Sequence, residues 1–345
     1  MASTRPGEEN RNEEKTPASS VAGKNRALAF LKLGLKLGFT ALLLWLLYRK
    51  MDLQAFRSSL QELRWELLPL FYAIAVGNMW ISSVRWKLFL RADGVEISTS
   101  LLFRSHWISS FFNFFLPSNI GGDVYRMADI GRRSGRPVGS VASVFADRLA
   151  GFVAMSFLGF LFPLLGFSLI PPEKRMLLLV PAVLFFGFLT AAFLLLQQRL
   201  LLWFLRFFPQ RVREPLMRFA TRFFESIHAY ARTPAVFLKA VLLSIVFQFF
   251  VIVAVYVVGA SLRIPVSFAP YCVFVPFVCL LESVPLSLNG MGLRDTGYLF
   301  FFEAVGLATA ASTSAALSLC YVTLTLFYAL GGGLLFLFRQ FLRRV

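Results

Sequence analysis

The sequence predicts an all-α polytopic membrane protein with about six full spans and two re-entrant or discontinuous helical segments in an inverted-topology repeat. Three observations carry this expectation. Of 345 residues, 57% are hydrophobic and only 15% charged, with mean hydropathy +0.68, far more apolar sequence than a soluble domain needs. The apolar runs are continuous rather than alternating, which disfavours a β-barrel. Two of those runs also break in the same way, each ending in a Pro/Ser/Asn/Gly cluster followed by an arginine and an aspartate.

In chain order, residues 1–26 are polar and carry Pro6 and Pro17. They read as a disordered cytoplasmic tail, too long and too acidic for the start of a signal peptide. The transmembrane region is expected over 27–340, with half one at about 27–170 and half two at about 176–340. Span 1 falls at about 28–48, with Lys32 and Lys36 placed to snorkel. An amphipathic connection at 49–65 leads to span 2 at about 67–84. Arg85-Trp86-Lys87 follows as a basic and aromatic interface anchor.

The first break occupies about 105–125. Aromatic sequence around Asn113 runs into Pro117, Ser118, Asn119, Gly121 and Gly122. A helix does not continue through that cluster, because proline lacks an N–H and glycine is costly in a helix. Asp123 is a natural N-cap for a helix restarting at Val124. In lipid, such backbone is tolerated only where protein buries it or water reaches it. Span 3 is expected at about 149–170, with Asp147-Arg148 at its entrance, and span 4 at about 176–196.

The connection 197–239 has eight basic residues against Glu214 and Glu225, with Phe219, Phe223 and Ile227 at helical spacing. It reads as interfacial amphipathic helix in a positive-inside loop. Span 5 is expected at about 240–262. The second break, at about 268–303, carries Pro285, Asn289, Gly290, Gly292, Arg294 and Asp295. Residues 304–338 hold no charge. At ~1.5 Å per residue, a helix of that length overshoots the ~30 Å hydrocarbon core. Span 6 is therefore placed at about 313–338, where Gly331-Gly332-Gly333 permits close helix contact.

Charge sets the topology. The net +17 comes from 35 basic and 18 acidic residues, and the basic ones sit in short loops. The positive-inside rule therefore explains the charge better than nucleic-acid binding does. Placing 197–239 and the C-terminus in the cytoplasm puts 126–136 inside too, so the first break enters and leaves on the cytoplasmic side. The second break then begins and ends outside. Each half reads span, span, re-entrant segment, span, in opposite orientations. The basic loop 49–65, assigned outside, goes against the rule.

The charged and glycine positions of the two breaks are the candidate site. The set is Asn113, Ser118, Asn119, Gly121, Gly122, Asp123, Arg126, Asp147, Arg148, Asn289, Gly290, Gly292, Arg294 and Asp295. Ionisable groups at membrane depth mark function. Uncovered amides at helix starts attract phosphate, and Arg126 with Arg294 offers a fork for one phosphate. The plain structural alternative is that Asp123 and Arg126, three residues apart, only pair with each other. Cys272, Cys279, Cys320, His106 and His228 have no metal-ligand spacing, and no phosphate-binding glycine-lysine loop occurs. No metal or cofactor is expected.

These same residues resemble the lysylphosphatidylglycerol synthase transmembrane, or flippase-like domain, family of bacterial and archaeal inner-membrane proteins. The carrying pattern is Asn113 through Pro117, Gly121-Gly122-Asp123, Arg126, Asp147-Arg148, and Pro285 through Gly290, Gly292, Arg294-Asp295, with Arg85-Trp86 ahead. The resemblance covers about 28–340. It implies a lipid flippase or scramblase of the inner membrane, with both termini cytoplasmic, for an anionic phospholipid or polyprenyl-phosphate-type lipid. Two-domain members add a soluble aminoacyl-transferase domain, which does not follow the last span here. The alternatives are a membrane enzyme, or an accessory subunit working with envelope-biosynthesis partner proteins. An enzyme would need a base, nucleophile or metal cluster, and the scattered acidic residues supply none.

Overall fold

The computed structural model describes residues 52–116, 120–166, 207–283 and 290–341, with scattered positions at 38–49 and 183–205. The N-terminal tail, spans 1 and 4, Ser118, Asn119 and Asn289 were assigned to stretches that lie wholly or mostly outside the described residues.

Among the described residues are ten α-helices: α1 (Leu53–Gln61), α2 (Leu68–Ala92), α3 (Thr99–Phe115), α4 (Gly121–Ser134), α5 (Pro137–Leu165), α6 (Gln210–Ala231), α7 (Pro234–Ser261), α8 (Phe268–Ser283), α9 (Leu293–Ala304) and α10 (Ala310–Phe341). Four helical stretches, Trp65–Ala92, Pro137–Leu165, Pro234–Ser261 and Ala310–Phe341, are long and apolar enough to cross a membrane. The protein is thus an all-helical, multi-pass membrane protein. Outward residues of α10 such as Leu334, Leu337 and Phe338 are apolar and exposed, as a lipid solvent dictates.

Sequence chemistry explains the helix ends. Proline stands in the first turn of α2, α5 and α7, where its missing N–H costs nothing and its fixed φ suits the helix. Gly135 closes α4 in the left-handed conformation, φ +69°. The carboxylate of Asp52 accepts the amide of Gln54 at 2.8 Å at the head of α1.

Both breaks fold as helical hairpins. In the first, α3 and α4 run antiparallel: Phe112 stacks on Tyr125 with ring centroids 5.1 Å apart, and Asn113 Oδ1 accepts the Gly122 amide at 2.8 Å. In the second, α8 and α9 pair Phe274 with Phe301 at 4.5 Å. The largest core cluster joins α7, α8, α9 and α10 around Tyr271, Val275, Phe301 and Leu317. Two smaller clusters sit under α2–α6, around Trp86 and around Phe89.

The first hairpin packs on the last long helix. A side chain at Gly332 would lie 2.2 Å from the Trp107 carbonyl oxygen, and one at Gly333 would meet the Phe111 ring. The glycine run permits the close approach expected of it. Trp107 Nε1 also donates to the Tyr328 carbonyl at 3.0 Å.

Two local expectations change. The helix after the first break starts at Gly121, with Ile120 before it. Asp123 is therefore not an N-cap, and its carboxylate is turned to arginines instead. The helix carrying Asp147-Arg148 starts at Pro137 rather than near 149, so the pair stands well inside it. That early start is hard to read locally, because Gly139, Ser140, Ala142 and Ser143 interrupt the apolar residues between Pro137 and Ala146.

Candidate functional site

The charged residues of the first hairpin meet those of α2 and α5 in one buried network. Arg85 on α2 donates through Nε to Asp147 Oδ1 at 2.6 Å and through Nη1 to Ser244 on α7 at 2.9 Å. Arg126 on α4 donates to Asp123 Oδ1 at 2.7 Å and to Asp147 Oδ2 at 3.3 Å. Arg148 closes the chain with Asp123 Oδ2 at 2.7 Å. Arg85, Asp123, Arg126 and Asp147 are buried. The Arg126 guanidinium also lies over the Trp86 ring, 4.9 Å from its centroid, a favourable place for a desolvated cation.

Local sequence places each group. Asp123 and Arg126 sit one turn apart on α4 and face the same way. Gly122 lets α4 lie against α3: a Cβ there would stand 2.2 Å from the Ser109 carbonyl oxygen. Asp147 and Arg148 are adjacent on α5, so they diverge by about 100° around the helix. Asp147 turns to Arg85 and Arg126, whereas Arg148 turns to Asp123.

The network lines a cavity of about 290 Å³ whose wall includes His106, Ser109, Asn113 and Gln248. Among the described residues the wall carries three guanidinium groups and two carboxylates; the buried Arg85, Arg126, Asp123 and Asp147 balance one another, and the third arginine is the half-exposed Arg148. Arg126 Nε is buried and has no hydrogen-bond partner among the described residues, an orphan donor that a native interior seldom tolerates.

The second hairpin builds a simpler arrangement. Arg294 on α9 donates to Ser318 on α10 at 3.0 Å, lies 3.6 Å from Glu282 on α8, and sits 5.6 Å from the Tyr321 ring centroid. Asp295 Oδ2 accepts the Gly292 amide at 2.8 Å. Arg294 lines a separate cavity of about 300 Å³ with Met291, Thr325 and Tyr328. Asn113 stands on the wall of both cavities.

Of the expected site residues, the structure thus joins Asn113, Gly122, Asp123, Arg126, Asp147 and Arg148 in one place. Arg294 lines the neighbouring cavity, and Gly290, Gly292 and Asp295 shape the turn beside it. The Gly122 and Gly292 amides, expected to be open, are both occupied by side chains of the protein. Arg126 and Arg294 line different cavities rather than one.

Arg85, read as an interface anchor, is a buried member of the network. His106, considered above only as a metal ligand, lies with Nδ1 3.4 Å from Arg126 Nη1. The signal was available: on α3, His106, Ser109 and Asn113 recur at three- and four-residue spacing and form one polar stripe. Arg104 and Glu303 are exposed and stand apart from both cavities.

Crossing helices, a hairpin break and a charged chamber between them define a membrane protein with a polar site enclosed by its helices. Comparison gives the family: residues 33–332 match the model of the lysylphosphatidylglycerol synthase TM region, and the chain belongs to that family. Neither curated proteins nor solved structures gave a match.

Proposed function

We propose that this protein is a lipid transporter of the flippase or scramblase type, and not an enzyme, moving an anionic phosphate-bearing lipid across the cell inner membrane. The observation that carries this reading is the cavity wall itself, where three arginines stand beside two aspartates and the buried Arg126 Nε finds no acceptor among the described residues. A buried donor without an acceptor costs about 1–3 kcal/mol, which an incoming phosphate oxygen would offset. One phosphodiester carries a single negative charge, and a planar guanidinium suits its oxygens. Family membership supports the lipid as cargo.

In this reading the two hairpins are re-entrant from opposite faces, the halves 27–170 and 176–340 form an inverted repeat, and both termini are cytoplasmic. Asn113, shared by the two cavities, is the point where a head group passes from one to the other. The site residues act by binding and orienting the phosphate, and no covalent step is required of them.

The deciding experiment is translocation in proteoliposomes. Purified protein should move fluorescent phosphatidylglycerol between leaflets, and Arg126→Ala of equal folded yield should lose most of that activity. Parent-level translocation by folded Arg126→Ala would exclude the cavity as the cargo site.

A further inference from the structure

A third cavity, of about 300 Å³, lies between α4, α5 and α6. Ile120, Met127, Val141, Phe145, Phe219 and Phe223 make its wall apolar, and Asp123 and Arg148 stand at its edge. The same Asp123 and Arg148 line the charged cavity. The two chambers are therefore neighbours that share an ion pair 2.7 Å long as their partition. On the far side, α6 is amphipathic: Phe224 and Ala220 are buried against the fold, while Arg211, Arg218 and Arg222 are exposed.

We infer that this apolar pocket seats one acyl chain of the lipid whose phosphate occupies the charged cavity. The inference rests on the proposed lipid-binding function and deepens it by assigning the tail. Its basis is continuity. An amphiphile with its phosphate near Arg126 has its glycerol region beside Asp123 and Arg148, and the first apolar space beyond them is this pocket. The volume lies at the lower limit of the ~300–1,000 Å³ usual for ligand pockets, which suits one chain rather than two. Arg148 is the hinge of the arrangement, half-exposed with its side chain at 41% and in contact with both chambers. The exposed arginines of α6 hold that helix at an anionic membrane surface, with its Phe219–Phe223 face toward the chain.

The test is photocrosslinking of the full chain in phosphatidylcholine nanodiscs. One arm contains phosphatidylglycerol with a mid-chain diazirine, and the other contains phosphatidylcholine with the same diazirine chain. Phosphatidylglycerol should label peptides containing Met127 and Phe219–Phe223 about tenfold more than phosphatidylcholine, the ratio of ~1.4 kcal/mol of preference. Val141→Trp, which fills the pocket from its wall, should remove that labelling while phosphatidylglycerol is still retained in an Arg126-dependent way. If retention depends on Arg126 but the label falls elsewhere, the acyl-chain assignment fails and the head-group site stands. If retention is indifferent to Arg126→Ala, the head-group site itself fails, and the tail assignment with it. Equal labelling by both lipids would identify only annular lipid and overturn the inference. The parent-protein arms keep the test decisive even if Val141→Trp folds poorly.

Discussion

The two hairpins share a sequence signature and use it differently. Each has a glycine pair, an arginine and an aspartate at the break, yet the first joins its charges to charged residues of α2 and α5, whereas the second pairs its arginine with Glu282 of its own hairpin and with the neutral Ser318 of α10. In α3–α4, Asp123 and Arg126 bond to residues of α5, and Asp147 carries the network on to α2. In α8–α9, Asp295 folds back on the Gly292 amide of its own helix start, and Arg294 is held by Glu282 and Ser318. The glycines diverge too. Gly290 and Gly292 have φ of +72° and +81°, a backbone that other residues adopt only with strain. Gly121 and Gly122 are helical, and Gly122 is required for close approach instead. The same letters serve conformation in one break and contact in the other. A motif therefore fixes the break, while the helices around it decide whether a charged site forms there.

That contrast can be broken by substitution, and the aspartates give the largest effect. Asp147→Ala leaves Arg85 and Arg126 buried without their shared carboxylate, at a cost of ~3–5 kcal/mol. Asp295→Ala removes a helix-start hydrogen bond, worth ~0.5–2 kcal/mol. Heating in detergent, followed by the folded fraction on size exclusion, should show Asp147→Ala losing fold well before Asp295→Ala. The reverse order would make the second hairpin the network anchor.

The glycines come next. Gly122→Ala forces a methyl against the Ser109 carbonyl oxygen, an overpacking cost of ~1–3 kcal/mol. It should separate the arms and lower thermal stability and translocation together. Gly292→Ala strains a backbone held at φ +81° and ψ −49° by ~1–3 kcal/mol, and should lower thermal stability more than it lowers translocation by the folded fraction. Equal loss of translocation at both sites would erase the distinction between the two breaks.

Arginine geometry is the third and more modest contrast. Arg126→Lys keeps the charge but loses the planar fork facing two carboxylates, and translocation should fall about tenfold, ~1.4 kcal/mol. Arg294→Lys retains a donor for Ser318 and Glu282 and should fall less. Matched losses would favour the single phosphate held by both arginines that the sequence suggested, despite their separate cavities.

Much of this was legible in the sequence, for definable reasons. The hairpins were visible because proline and glycine interrupt a helix locally. The helix over Pro234–Ser261 was visible because hydropathy is a sum over neighbours. The amphipathic α6 was read from Phe219, Phe223 and Ile227. Arg85 was misread because it stands where an interface anchor stands, and only tertiary packing distinguishes a snorkelling arginine from one folded onto Asp147. Asp123 looked like a cap because capping is the local use of an aspartate before a helix, whereas Arg148 claims it from 25 positions away. Burial partners distant in sequence leave no local trace.

The smallest effect concerns the end of α4, which is tied to the last long helix by an ion pair, whereas the second hairpin meets that helix through the Arg294–Ser318 hydrogen bond. Arg339 near the end of α10 donates to Tyr125 OH at 2.9 Å and to both oxygens of Asp129. Arg133 adds a bond to Asp129 Oδ1 at 3.0 Å. Burial works against ionisation of Asp129, but the hydrogen bonds and charges of Arg339 and Arg133 overcome it and hold its carboxyl below the ordinary value. A carboxylate with a depressed folded-state pKa stabilises the fold above its unfolded pKa, and that contribution fades as pH falls through the folded value. Thermal stability of the parent should therefore exceed that of Asp129→Asn near pH ~7, and the difference should shrink toward pH ~3, below the usual carboxylate range. The partly exposed arginines limit the gap to ~1 kcal/mol or less. Glu303→Gln, at the exposed end of the second hairpin, should leave the melting curve unchanged across the same range. A pH-independent gap between parent and Asp129→Asn would mean that packing, rather than charge, ties α4 to α10.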